Sequence, residues 1–304
     1  FTNLDENVVG ARHTSPLREN DLSSIDQWIV TELDETIKNM DQYLTSFRFY
    51  DAANSIYHFF WHSFCDWYLE LAKSALSVRQ TAQRDSSQSA VDGFRRALWR
   101  KKGERRRVVQ SVLISVMETS MRLLHPFMPF LTEEIWQLMK KDFPSPSPQR
   151  RRNPSGRISP RFLAPRFSKE SIMLSEWPKP QFGNRFEQEA NEIRFFRKVV
   201  VGIRDLRTRL GLKPAEKLNV VHVIIKNDEM REYFGKNKDF KSMISQLSRV
   251  NELEIATEGF KGSGMVGRVY EDIEIFISGL SPEGLKAEEK RTKMKISELE
   301  GVLR

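Results

Sequence analysis

Residues 47–73, FRFYDAANSIYHFFWHSFCDWYLELAK, hold ten Phe, Tyr or Trp among 27 positions and contain neither glycine nor proline. Ile56, Phe60, Phe64, Trp67 and Leu71 recur at three- and four-residue steps, which predicts a helix over roughly 48–76 with these residues as its main apolar stripe. Phe59, Trp61 and Tyr68 broaden the stripe. A helix this aromatic needs cover on more than one side, as in a bundle. Trp61 is therefore expected in the core, whereas His62 is expected to face out.

Other segments can supply that cover. LSSIDQWIV begins a helix that Ser24 or Asp26 can cap, and Ile29, Leu33, Ile37, Met40 and Leu44 form its stripe. Residues 77–107 lose the pattern: QTAQRDSSQSA is polar and FRRALWRKKGERRR strongly basic. A third helix runs through VVQSVLISVMETSMRLLH, with Val109, Leu113, Val116 and Leu123 near one face. Pro126 ends it and makes HPFMPF a rigid corner. Thr132 can cap a fourth helix, with Glu133 and Glu134 in its first turn and Leu131, Ile135 and Leu138 inward. After a lead-in over 1–22, residues 23–141 thus read as a bundle of about four helices.

Residues 142–180 hold eight of the 13 prolines, and from Phe143 to Lys169 there are six arginines and no acid. This composition indicates a linker or insertion. A long helix follows within 181–211. Ala190, Ile193, Phe196, Val200, Ile203, Leu206 and Leu210 supply its buried side, and Arg194, Arg197, Lys198, Arg204 and Arg209 the other arc. Such a basic stripe can serve as a phosphate rail. Arg207 falls on the apolar arc, which implies a bridge between domains or a pairing with a buried acid. Gly211 and Pro214 stop the helix. LNVVHVII, a helix over 228–248 (core Met230, Phe234, Phe240, Met243 and Leu247), ELEIA and YEDIEIFIS then make a small α/β domain over 212–281. Residues 282–304 read as the start of a coiled-coil helix.

The composition, 39% hydrophobic and 30% charged, is that of a globular chain without a run of 18 apolar residues, so no membrane is expected as a partner. FTNLDENVVG lacks an initiator Met and a basic-then-apolar leader, which gives the expectation of a piece of something longer with no signal peptide. The single cysteine fits a reducing compartment and excludes a thiolate zinc cluster. The net charge of +8 permits a polyanionic partner.

No catalytic constellation is found. Gly262, Gly264 and Gly267 satisfy G-x-G-x-x-G, but no helix follows to hold a pyrophosphate, so they read as turns and a bulge. Asp66 and Glu70 read as a polar helix edge rather than an acid–base pair, and Cys65 beside His62 as an inert thiol. The i,i+4 pair His58 and His62 lacks the rest of a metal site. The His58–Trp61–His62 face could offer stacking surfaces to RNA bases.

The run at 47–73, above all FFWHSFCDWYLELAK, resembles the anticodon-binding bundle of valyl-tRNA synthetases. LLHPFMPFLTEEIW at 123–136 resembles a second hallmark of these class I synthetases, and SIMLSEWPKP at 171–180 with GIRDLRTRLGLKPAEKLNV at 202–220 resembles the segment leading into the valyl enzyme's C-terminal domain. GLKAEEKRTKMKISELE resembles the start of the family's coiled-coil arm. The resemblance implies a predominantly α fold: the class I synthetase bundle, then a small α/β domain and the truncated arm, without catalytic and editing domains. Of the two ATP-binding signatures the histidine–x–glycine–histidine motif is absent. Lys293–Ser297 only superficially matches the other. The segment is thus expected to bind valine tRNA by its anticodon stem-loop and to catalyse nothing. ATP, with magnesium beside it, would belong to the parent enzyme, which ligates valine to tRNA. A cytoplasmic monomer attached to the missing catalytic domain is expected. The residues expected on tRNA are Arg48, Phe49, His62, Lys73, Arg204, Arg207 and Arg209. The same region of isoleucyl- or leucyl-tRNA synthetases, and a non-catalytic interaction scaffold, are the alternatives.

Overall fold

The computed structural model describes residues 21–76, 90–142, 169–213, 216–256, 265–270 and 272–278, with a few more between 290 and 297; side chains at 74–75, 90–103, 142 and 238–239 are not described. Nearly all of the lead-in, part of the linker, the glycine run 257–264 and most of the coiled-coil tail therefore lie outside the described residues. The chain divides into two compact units, Phe1–Asn191 and Glu192–Arg304.

The first unit is helical. It comprises α1 (Ser24–Thr45), α2 (Phe49–His58), a π-helical segment (Phe59–Tyr68), α3 (Leu69–Leu76), α4 (Ala90–Leu124) and α5 (Pro129–Asp142), with a short 3₁₀ turn at Ile172–Leu174. α2, the π segment and α3 are continuous in sequence and together are the helix expected over 48–76. A π-helix bonds i to i+5, so its buried face recurs more slowly than in an α-helix. Phe59, Ser63, Phe64, Trp67 and Tyr68 accordingly turn inward at four- and five-residue steps. Phe60 packs instead against a second cluster built on Ile114, Met121, Trp136, Met139 and Ile172.

α1 is buried almost all round, through Trp28, Ile29, Val30, Leu33, Ile37 and Met40 together with Asp26 and Asp34. Its cap is Ser23, whose N–H donates to Asp26 Oδ2 at 2.9 Å. Asp26 also accepts from the buried Tyr68 hydroxyl at 2.7 Å and pairs with Arg105, whose second terminal nitrogen donates to Ser23 Oγ at 2.7 Å. This node joins α1, the π segment and α4. It also shows that α4 takes in the basic stretch that lacks an apolar pattern. Arg, Lys, Ala and Leu are good helix formers, so propensity can carry the helix where amphipathicity fails.

α5 starts one turn earlier than expected, at Pro129, a residue suited to the first helical position. Thr132 therefore lies inside the helix, where its hydroxyl donates to Met128 O at 2.8 Å rather than capping. Thr132, Trp136 and Met139 are the buried set, while Leu131 and Leu138 are exposed. Glu133 is displaced from the first turn and accepts from Ser171 Oγ at 2.9 Å and Ile172 N at 3.0 Å. Burial works against its charge. Hydrogen bonds from Gln137, Ser171 and Ile172, with His125 nearby, nonetheless hold its carboxyl below the usual range.

The end of the Pro-rich stretch is pinned to this unit. Trp177 Nε1 donates to Asp41 Oδ1 at 2.5 Å, and Arg122 donates to Glu176 O at 2.8 Å. The buried Asp34 carboxylate gathers the backbone N–H groups of Gln181, Phe182 and Gly183 at 2.6–3.0 Å. Burial pushes the Asp34 carboxyl up, and these three donors oppose it.

The helix α6 (Glu187–Arg209) begins in the first unit and continues into the second. There follow β1 (Leu218–Ile225), α7 (Asp228–Lys236), α8 (Lys238–Ser248), β2 (Val250–Ala256), β3 (Val266–Tyr270) and β4 (Ile273–Ser278). The sheet order is β2-β1-β4-β3, with β1 parallel to β2 and antiparallel to β4. The single helix expected over 228–248 is broken at Asn237, whose side chain accepts from Phe240 N at 3.2 Å and caps α8. Phe234, Phe240 and Ile244 are its buried residues, whereas Met243 and Leu247 are only half-buried. The stretch read as turns and a bulge ends in a strand: Gly267 lies in β3, where a Cβ would come within 2.3 Å of the Phe276 ring.

Candidate nucleic-acid interface

In the first unit, α1 ends in a paired hydrogen-bond motif. Phe47 N donates to Leu44 O at 3.2 Å and Arg48 N to Tyr43 O at 2.8 Å. This Schellman closure puts Phe47 in the left-handed region, with φ of 58°. The turn exposes a cluster of rings. Phe47 and Phe49 meet edge to face at 6.2 Å, and Tyr50 is 80% exposed beside them. Arg48 stands over the Tyr43 ring at 4.9 Å, and its Nε donates to Asp51 at 2.7 Å.

A stripe continues along α2 into the π segment. Tyr57 and Trp61 are each about half exposed, and their rings are parallel within 4° at a centroid separation of 6.5 Å. His58 and His62 flank them 5.2 Å apart, and His62 Nδ1 is 3.1 Å from Asp66 Oδ2. Lys73 lies further along, paired with Glu70 at 2.5 Å. The expectation that Trp61 is a core residue is thus corrected. The π segment fills the interior with Phe59, Phe64, Trp67 and Tyr68 and leaves Trp61 outside. Arg48, Phe49, His62 and Lys73 are all exposed along this one continuous run. Tyr57 and the strained Phe47 are additions that periodicity alone does not single out. An excess of rings over what one buried face can hold is present in the sequence, but by itself it fits cover on a second side as well as exposure. Cys65 is half-buried, and burial, with Asp66 next to it, pushes its thiol up, away from the reactive thiolate.

The cations of the second unit are engaged differently. Arg207 is buried, and its guanidinium donates to Ser248 O at 3.3 Å, Lys213 O at 3.2 Å and Glu216 O at 2.6 Å. These three bonds end on backbone carbonyls, where the sequence had implied a bridge between domains or a buried acid. The side chain thereby closes the loop after α6. Lys198 pairs with Asp272 at 2.5 Å, and Arg204 Nη2 donates to Leu247 O at 3.1 Å. Arg209 and Arg268 share Asp205, which also accepts from the Tyr270 hydroxyl at 2.9 Å. Burial opposes the Asp205 charge, but these partners hold its carboxyl low, while burial and Asp205 push Tyr270 up to about 12. The basic arc of α6 is therefore partly spent on tying the helix to the sheet. Arg204 and Arg209 keep their exposed positions.

Among the described residues no group of three or more His, Cys, Asp or Glu side chains could hold a metal ion, and no helix is long and apolar enough to cross a membrane. Exposed rings with interspersed cations are the residue types that can stack on unpaired bases and contact phosphate.

The family model described as the anticodon-binding domain of tRNA ligase matches residues 26–222, which include the whole aromatic stripe. The chain belongs to that family. It is 30% identical over 285 residues to a valine–tRNA ligase of Coxiella burnetii, covering 93% of this chain and 26% of that protein. A valine–tRNA ligase of Legionella pneumophila is 32% identical over 236 residues, covering 76% and 20%. A third, from Geobacter sulfurreducens, is 28% identical over 280 residues, covering 92% and 26%. The chain spans only about a quarter or less of the length of these curated relatives.

Proposed function

We propose that this chain docks the anticodon stem-loop of a valine tRNA, as the anticodon-side part of a valine–tRNA ligase. The observation that carries the reading is the exposed stripe Tyr50, Tyr57 and Trp61 with Arg48, Phe49, His62 and Lys73, inside the segment that the family model matches. Unpaired loop bases can splay and lay their faces on rings, whereas cations fix the backbone register. Arg204 and Arg209 are assigned backbone contacts from the second unit. Valine as the amino acid follows from the relatives' names, and ligation, with ATP and magnesium, is assigned to parts of those longer proteins that this chain does not match. The segment itself is assigned binding only, as a cytoplasmic monomer in covalent continuity with a catalytic domain.

Salt titration of tRNA binding tests this. Four phosphate contacts, from Arg48, Lys73, Arg204 and Arg209, give a slope of about −3 in log affinity against log salt, each contributing about 0.7. Replacing any one by Gln should flatten the slope by about that amount. Binding that ignores salt, or is absent at low salt, favours an interaction scaffold. Tighter binding of isoleucine or leucine tRNA would reassign the amino acid.

A further inference from the structure

We infer that Phe47 is a base-stacking residue, an aromatic wedge held out into solvent by the left-handed end of α1. The inference rests on the tRNA-docking reading above and goes beyond it by assigning a contact to a residue that the sequence patterns pass over.

Three observations converge on this side chain. Its backbone sits at φ 58°, a region that bulky residues rarely adopt. It occupies the position after a helix cap where glycine closes the same motif without strain. The strain is not offset by packing, because the ring is 79% exposed and its aromatic neighbour is Phe49, edge to face at 6.2 Å. Strain retained at an exposed ring is what a contact surface requires and a core does not.

The surroundings indicate what the wedge meets. Arg48 follows directly, is 56% exposed, and is steadied by Asp51 and by the Tyr43 ring. A ring face with a steadied guanidinium beside it fits a nucleotide, with the base on the ring and the phosphate on the cation. Asp51 takes the Nε of that guanidinium, which leaves its exposed terminal nitrogens as the donors a phosphate would meet. The occupant is therefore an unpaired nucleobase of the tRNA.

The test compares the 304-residue chain with its Phe47→Gly and Phe47→Trp variants, reading the denaturation midpoint and the affinity for a valine tRNA transcript. Phe47→Gly is expected to raise the midpoint, because it relieves the left-handed strain, and to weaken tRNA binding about tenfold. Phe47→Trp is expected to keep the affinity within about twofold, since any large ring can stack. This opposition of stability and binding is the signature, as a merely structural ring would lose both together. Unchanged affinity in Phe47→Gly overturns the inference. So does a lowered midpoint in that variant, or a loss of binding in Phe47→Trp equal to that of glycine. Failure of the parent chain to bind the transcript would overturn the docking reading itself, and a wedge without effect in a chain that binds tRNA would overturn the wedge alone.

Discussion

Asp26→Ala should destabilise the helical unit by about 3 kcal/mol, at the lower end of the range for breaking a buried ion pair. The substitution leaves the Tyr68 hydroxyl, fully buried, without its acceptor, and removes the anion that Arg105 faces. It also removes the acceptor of the Ser23 N–H at the start of α1. The loss stays at this lower end because the Arg105 side chain is about one-third exposed and can recover water. All six tryptophans, at 28, 61, 67, 99, 136 and 177, lie in the first unit, so tryptophan fluorescence during denaturation reports on that unit. Asp26→Asn, which retains an acceptor, should lose less. A shift below about 0.5 kcal/mol for Asp26→Ala would show that this node does not hold the bundle together.

The second large effect is on binding. Replacing both Tyr57 and Trp61 by Ala should weaken valine tRNA binding about a hundredfold, since a stacked base is worth about 1–3 kcal/mol per ring. The two rings touch, so the single substitutions need not add. Because both are about half exposed, the denaturation midpoint should move by no more than about 1 kcal/mol. Equal affinities for the double variant and the parent, measured by filter binding at fixed salt, would remove the stripe from the interface.

Much of the fold is legible along the chain. The expected stripe residues of α1 from Ile29 to Met40 and of α6 from Ala190 to Leu206 are buried, because burial repeats with the turn of an α-helix, although α1 is covered on its other faces as well. Ile273, Ile275 and Ile277, alternating in β4, are all fully buried. What could not be read is what depends on residues far apart. Asp26 meets Arg105 across 79 positions, and Asp34 meets Phe182 across 148. Neither spacing leaves a local trace. Asn237 looks like one more polar position until its side chain is seen capping α8. The π segment is hidden for a different reason: an α-helical and a π-helical reading of FFWHSFCDWY bury overlapping sets of rings, and only packing decides between them.

The candidate site was legible in kind but not in detail. Ten rings in 27 residues exceed what a single buried face accommodates, which tells of more than one aromatic face but not whether the further rings meet protein or solvent. Which ones face solvent depends on the π register and on the left-handed turn at Phe47. Arg207 shows the converse. Its place on the apolar arc signalled an unusual role, but a guanidinium can satisfy its donors with carbonyls as well as with an acid or a phosphate. Only the loop from Lys213 to Glu216 and the end of α8 reveal the choice.

The anticodon end of the tRNA is where this chain is proposed to dock. Chemical footprinting of a valine tRNA bound to the chain tests it most directly. Protection should fall on the anticodon loop and its closing stem, and should weaken in the loop for the Tyr57/Trp61 double variant. Protection confined to the acceptor end, with the anticodon loop as reactive as in unbound tRNA, would contradict the account.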